Sequence, residues 1–506
     1  MRKDSFLRIL MPPCFLILWK KIIFKPVNLQ GRKVLGATVF YSLGEIIPRV
    51  LAFFLLPILT RYLSTSEYGI NSYINAVMAF VYVIASLSLN SYVLRHYYLE
   101  PDEKEKKRLV GDIFLIICAF NVVLLGLQIL IVPYLLSAFN IKIPFYPYFF
   151  LGIINNFFDV ISIIPLVLYR VKGNTKAFFN LSVSRIIFQY AATYVLVVIL
   201  HLGLLGTFYA RLLINIPFGI IYYLIISQYA PIRFNFKRLK EALTFSLPLI
   251  PGGLSYLIIT ISDRIILERF VGLNEIGIYS VAVTISIALN VVIQALYKTI
   301  EPILFKAYAT DDFASLSARL YKYYLLFVYI GGFGIAIIAK EVFRFMGSKA
   351  FQAGYVIVPG MILAVILSGV NLYLNTILIA EKKQKIISLS IILSAVVSIT
   401  LNFILIPHYG YYGAIVAAFS ASLVGNIISQ CYARVNGKML IQQLVLLVLV
   451  LSVPLLFDLF SNFSNLLVIL LIKALMVLIF SGLTFVLLGC NLKKDWNFLL
   501  FSRKTA

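Results

Sequence analysis

Seven basic residues sit inside stretches that are otherwise apolar: Arg49, Arg185, Arg211, Arg264, Lys298, Lys322 and Lys473. Five carboxylates share that setting: Glu45, Asp112, Asp159, Asp263 and Glu301. A charge at the centre of a bilayer costs about 3 kcal/mol on insertion scales, so each needs a partner, a path to the interface or a function. The chemistry open to them is anion binding and ion coupling. An arginine fork takes two phosphate oxygens at once, and a lysine offers a point charge. A carboxylate within the membrane is a candidate cation or proton site.

The elements that must position these residues are membrane helices. The 506-residue chain is 61% hydrophobic and only 13% charged. Fourteen apolar stretches recur, at roughly 34–60, 69–94, 109–136, 145–169, 178–200, 203–228, 242–267, 276–305, 320–339, 354–380, 386–406, 411–432, 440–457 and 466–490. Each is long enough to cross about 30 Å of hydrocarbon as a helix. The fold class is therefore an all-α polytopic membrane protein, since the short alternating segments of a β-barrel are absent. Residues 1–33 differ. FLRILMPPCFLILWK is interrupted by Pro12 and Pro13 and lacks a small-residue cleavage site. It reads as an interfacial cytoplasmic segment, or as sequence upstream of the true translation start.

A net charge of +24 would suggest nucleic acid in a soluble protein. Here Lys and Arg concentrate in alternate loops, which the positive-inside rule assigns to the cytoplasm together with both termini and the 491–506 tail. Most of the charge is thus topology, and no nucleic-acid partner is expected. Cys14, Cys118, Cys431 and Cys490 have no metal-ligand spacing and read as buried thiols.

The chain repeats itself. RYLSTSEYGINS at 61–72 aligns with RFVGLNEIGIYS at 269–280, an offset of 208, and HLGLLG at 201–206 aligns with HYGYYG at 408–413, an offset of 207. Residues 34–228 and 242–432 are therefore expected to be two lobes of six helices each. Six is even, so the repeats are parallel and related by an axis along the membrane normal. YAPIRFNFKRLKE at 229–241 is the basic cytoplasmic linker, and 433–490 adds two helices outside the repeat.

Two facing bundles enclose a cleft whose polarity should show in the sequence. The eighth helix carries Ser286, Asn290, Gln294 and Lys298 at i+4 spacing. The same register on the second helix gives Met78, Tyr82, Ser86 and Asn90. The fifth helix carries Ser182, Arg185, Gln189 and Thr193, answered on the eleventh by Ser390, Ser394, Ser398 and Asn402. Such stripes line a water-accessible lumen or bond neighbouring helices to one another. Gly44 and Pro48 interrupt the first helix, and PLIPGG at 248–253 interrupts the seventh. Paired breaks of this kind mark a transport pathway or a hinge.

LTRYLSTSEYGINSY, SDRIILERFVGLNEIGIYSVA and HYGYYGAIVAA together resemble the polysaccharide-biosynthesis branch of the multidrug/oligosaccharidyl-lipid/polysaccharide flippases. That branch holds the Wzx-type O-antigen and capsule repeat-unit flippases. The resemblance runs from about residue 34 to 490. It implies a bacterial inner-membrane protein that moves a polyprenyl-diphosphate oligosaccharide outward by rocking two lobes about a central cavity. It also implies membrane lipid around the chain and a polysaccharide polymerase or chain-length protein as a candidate partner.

Such cargo needs a cationic lumen. Arg49, Arg185 and Lys298 are the candidates for capturing the diphosphate from inside, with Arg211 and Arg264 in the outer half for release. Asn90, Gln189, Ser286, Asn290 and Gln294 are the candidate polar lining. Local neutralisation competes with this reading, because Glu45 lies four residues before Arg49 and Glu301 three after Lys298. The Asp263–Arg264 pair at the end of the seventh helix equally reads as a lock onto its neighbours. Asp159, behind Asn155 and Asn156, is the first candidate for H+ or Na+ coupling, with Glu45 and Asp263 after it. No cofactor is implied: there is no GxxxxGK[ST], and the histidines are scattered at 96, 201 and 408. A cation-coupled multidrug exporter of the same superfamily is the alternative, but it calls for a net acidic lumen. A membrane glycan enzyme needs a large outer loop, and every outer loop here is short.

Overall fold

The computed structural model describes Gly44, Ile47, Pro48 and residues 50–308, 313–346, 348–433, 437–460 and 465–491. Glu45, Arg49, the 1–33 segment and residues 492–506 lie outside the described residues. A short apolar helix, Val50–Tyr62 (α1), comes first. Thirteen helices long and apolar enough to cross a membrane follow among the described residues. They are α2 (Thr65–Leu99), α3 (Glu103–Ala138), α4 (Phe145–Val171), α5 (Thr175–Ile199), α6 (Gly203–Tyr229), α7 (Phe236–Phe270) and α8 (Leu273–Ala307). Then come α9 (Phe313–Phe345), α10 (Lys349–Ala380), α11 (Gln384–Tyr409), α12 (Tyr411–Tyr432), α13 (Met439–Leu459) and α14 (Leu466–Leu487). The described residues contain no strand, so the all-α polytopic architecture stands.

Local sequence sets where these helices begin and bend. Ser64 and Glu67 form a reciprocal capping box at the start of α2. Asp102, Asn174 and Asn235 accept first-turn N–H groups of α3, α5 and α7. Leu87 and Ser88 adopt left-handed φ of 48° and 51° and break α2. α7 is interrupted at Leu247–Leu249, overlapping the start of the Pro/Gly stretch at 248–253 that predicted a break. The 229–241 segment is loop only as far as Asn235; from Phe236 it is helical. Its Arg238 bonds Glu105 and the buried Asp112 of α3, each at 3.0 Å.

The sequence repeat becomes a spatial one where α2 crosses α8. A Cβ on Gly69 would lie 1.9 Å from the Leu273 carbonyl oxygen, and one on Gly277 would lie 1.9 Å from that of Thr65. The two backbones are thus in contact, as small residues permit between membrane helices. The Ser72 hydroxyl donates to that of Ser280 at 2.6 Å. The Thr65 hydroxyl donates to Asn274 Oδ1 at 2.8 Å. Gly69 and Gly277, like Ser72 and Ser280, are equivalent positions of the sequence repeat, and here each meets its counterpart. Arg61 adds bonds to the Phe345 and Met346 carbonyls at 3.1 and 3.3 Å, and the Lys142 N–H donates to Glu268 at 3.2 Å. These links gather at the end of the bundle opposite the basic loops. Beyond the crossing the helices part: Leu89–Leu99 packs on α3 and α4, whereas Leu289–Ala307 packs on α9 and α10.

Two further helices are fastened onto α9 by buried polar groups. Lys473 of α14 is 1% exposed and pairs with Glu341 at 2.7 Å and Asp458 at 2.9 Å. Near the other end of α13, Gln443 donates to the Tyr321 hydroxyl at 3.0 Å and accepts from Gln430 at 3.0 Å. Lys473, which no sequence pattern explained, is a clamp for α13 and α14.

Candidate functional site

A cluster of three charges lies among the apolar helices of the N-terminal lobe. Asp159 of α4 stands between two arginines: Arg185 of α5 reaches one carboxylate oxygen and Arg211 of α6 reaches the other. Arg185 also donates to Asn215 Oδ1 through Nε at 3.2 Å and a terminal nitrogen at 2.8 Å. Arg211 donates to Asn75 Oδ1 of α2 at 3.1 Å. The Asn215 amide is 3.5 Å from the bound Asp159 oxygen and 3.2 Å from Asn155 Oδ1. Asn155 in turn donates to the Phe208 carbonyl at 3.1 Å, fixing α4 against α6.

Helix geometry explains the convergence. Asn155 and Asp159 are one turn apart on α4, and Arg211 and Asn215 are one turn apart on α6, so each pair shares a face. At 1.5 Å per residue, Arg185 lies about 15 Å from the start of α5 and Arg211 about 12 Å from the start of α6. The side chains remain partly accessible, at 13% for Asp159, 16% for Arg185 and 29% for Arg211. Two guanidiniums and one carboxylate leave the cluster with one positive charge. Beside Arg185 lies the Tyr222 hydroxyl, on a residue 1% exposed; the guanidinium approaches its oxygen as a donor, and the hydroxyl proton has no acceptor. Such an orphan is uncommon among buried polar groups.

The other sequence candidates fall into separate places. Arg264 is half-buried on α7, its Nε buried without a hydrogen-bond partner, and its charge acts on Tyr68 and Tyr279. Asp263 does not pair with Arg264's guanidinium. It accepts the Tyr279 hydroxyl and the Arg264 backbone N–H, the latter at 2.7 Å, and so fixes α7 to α8. Lys298 is half-buried on α8, and Glu301 takes the Tyr297 hydroxyl at 2.6 Å. Asn90, Gln189, Asn290 and Gln294 are half-buried. Arg49 and Glu45 lie outside the described residues.

One expectation about the lining is corrected. Ser286 is completely buried, with its hydroxyl on the Ala282 carbonyl at 2.8 Å, so it faces no lumen. The α11 stripe that answers the fifth helix is buried too, from Ser390 to Asn402. There Gly425 of α12 comes so close that a Cβ would be 2.6 Å from Ser394 Oγ. Small hydroxyl side chains let helices approach, and here they serve packing.

On the basic face, Lys172 in the α4–α5 turn places its ammonium 3.3 Å from the centre of the Tyr229 ring, with Lys107 5.8 Å from the same centre. Partial burial, and then the Lys107 charge, hold the Lys172 pKa below the ordinary lysine value.

Asn215, Asn75 and Tyr222 were not singled out in the sequence. The i+4 spacing of Arg211 and Asn215 was the available signal.

Residues 34–308 match the family described as polysaccharide biosynthesis protein. A protein of the Lsg locus of Haemophilus influenzae is 24% identical over 400 residues, covering 76% of this chain and 95% of its own. Among solved structures, the lipid II flippase MurJ in an inward closed conformation is similar with a TM-score of 0.70 at 16% identity, covering 88% of this chain and 99% of its own. An inward-facing multidrug resistance MATE family transporter of the MOP superfamily is similar at 0.60 and 15%, covering 77% and 98%. The two-lobed helical fold is similar to that of these two transporters, and the chain belongs to the polysaccharide biosynthesis protein family.

Proposed function

We propose that this protein is a Wzx-type flippase. It carries a polyprenyl-diphosphate-linked oligosaccharide across the bacterial inner membrane by alternating access, for assembly of a surface polysaccharide. The observation that carries the reading is the convergence of Arg185 and Arg211 on one point at membrane depth. Paired arginine forks suit a diphosphate, and the surplus positive charge is the wrong sign for a cationic drug. Both oxygens of Asp159, the first candidate for cation coupling, are taken by arginines, which also weighs against the exporter reading. Arg264 adds a second cation in the other lobe, near the crossing of α2 and α8.

In this reading the basic loops and both termini face the cytoplasm. The crossing of α2 and α8 then closes the outer side, and the parting of those helices opens the inner side to cargo. The sugar and diphosphate travel between the lobes while the polyprenyl tail stays in lipid. H+ or Na+ coupling stays in the proposal through the intramembrane carboxylates, and a polymerase partner through the family alone. Depleting the protein in its own cell should make lipid-linked oligosaccharide accumulate with its sugar on the cytoplasmic side. Undisturbed export of the oligosaccharide after depletion would remove the proposal.

A further inference from the structure

We propose that Asp159 is an internal stand-in for the cargo's diphosphate: it occupies Arg185 and Arg211 when no cargo is bound, and cargo must displace it. The inference deepens the flippase reading and rests on it.

Three features carry it. Arg185 and Arg211 grip different oxygens of one carboxylate, the arrangement in which two arginines also hold a phosphate. Both are partly accessible, so a ligand in the cleft can reach them. The displaced carboxylate also has a place to go. The Asn215 amide already stands 3.5 Å from Asp159 Oδ1. The Tyr222 hydroxyl, within the field of Asp159 and beside Arg185, is a buried donor with no acceptor. A buried hydroxyl proton without an acceptor is costly, and it is explained if the acceptor arrives in another state.

The cycle has no covalent step. As a diphosphate enters, the two guanidiniums turn to its oxygens, and the Asp159 carboxylate turns to Asn215 Nδ2 and Tyr222 Oη. When the lobes rock, Asp159 recaptures the arginines and expels the cargo. A site that held two uncompensated arginines would bind a diphosphate more tightly and let it go more slowly. Asp159 thus exchanges affinity for turnover, as a positioning residue acting through Arg185 and Arg211.

The test uses the full-length purified protein, farnesyl diphosphate as the probe, and farnesol and inorganic pyrophosphate as controls. Asp159→Asn is expected to bind farnesyl diphosphate about tenfold more tightly and to flip lipid-linked oligosaccharide more slowly at saturation. Tyr222→Phe removes a hydroxyl that has no acceptor in the cargo-free state. It should therefore bind the probe about two- to tenfold more weakly, while its melting temperature changes little. Equal or weaker binding by a folded Asp159→Asn overturns the inference. If that variant does not fold, Tyr222→Phe decides, and unchanged affinity overturns it. These failures leave the flippase reading standing. That reading fails separately if neither wild type nor variant binds farnesyl diphosphate above farnesol, and binding of pyrophosphate alone would also count against a lipid-linked cargo.

Discussion

Adding a methyl group to each helix at the α2–α8 contact tests whether this crossing is the closed gate. In Gly69→Ala and Gly277→Ala each new Cβ starts 1.9 Å from a carbonyl oxygen, against an ordinary contact of 3.4 Å or more. Relieving that clash needs an opening of about 1.5 Å between two helices that now touch along their backbones. Overpacking of this kind costs about 1–3 kcal/mol. The cost falls on the state in which the helices cross closely and not on the state in which they are apart, so the ratio of the two shifts about 5- to 150-fold. Both methyl groups act on one crossing, and a single displacement relieves both, so the double variant should cost little more than either single one. Spin labels at Tyr62 and Phe345 would report the change. They are exposed and lie on opposite lobes beside the Arg61 bond to the Phe345 carbonyl. In a background with the four cysteines replaced, double electron–electron resonance should lose its short-distance population and gain a longer one. An unchanged distance distribution in the double variant, with an unchanged melting temperature, would refute the reasoning.

Other outcomes follow from named contacts. Lys473→Met leaves Glu341 and Asp458 without their buried cation and should destabilise the protein by about 3–5 kcal/mol, read as a lower melting temperature in detergent. Combining it with Glu341→Gln and Asp458→Asn should recover most of that loss, because the three act as one unit. Arg185→Lys keeps the charge but cannot bridge Asp159 and Asn215 in the same fork, so flipping should fall about ten- to hundredfold while the protein stays folded. Asp263→Asn should lower stability by about 1–3 kcal/mol and leave any dependence on an ion gradient unchanged, because Asp263 is spent on Tyr279 and a backbone N–H.

The helices were legible because a hydrocarbon core demands long apolar runs and little else. The repeat was legible because Gly69 and Gly277 meet in backbone contact and Ser72 and Ser280 share a hydrogen bond, so both halves need small residues at those positions. The Asp159 cluster was not legible. Its partners lie 26 and 52 residues away, and Asp159 has no basic residue within a turn on its own helix. Ser286 was misread for a different reason. Serines that let α11 and α12 approach and serines that face water are the same residue type at the same spacing. Asp263 and Arg264 looked like a pair because they adjoin, yet neighbours on a helix point about 100° apart and meet different partners.

Reconstitution bears on all of this at once: flipping of a polyprenyl-diphosphate oligosaccharide in proteoliposomes, comparing wild type with Arg185→Gln/Arg211→Gln. The paired arginines predict transport by the wild type and its loss in a double variant that remains folded. Equal transport by both would contradict a cationic N-terminal lobe gripping the diphosphate. A wild type that moves a cationic drug but no lipid-linked glycan would contradict the flippase itself.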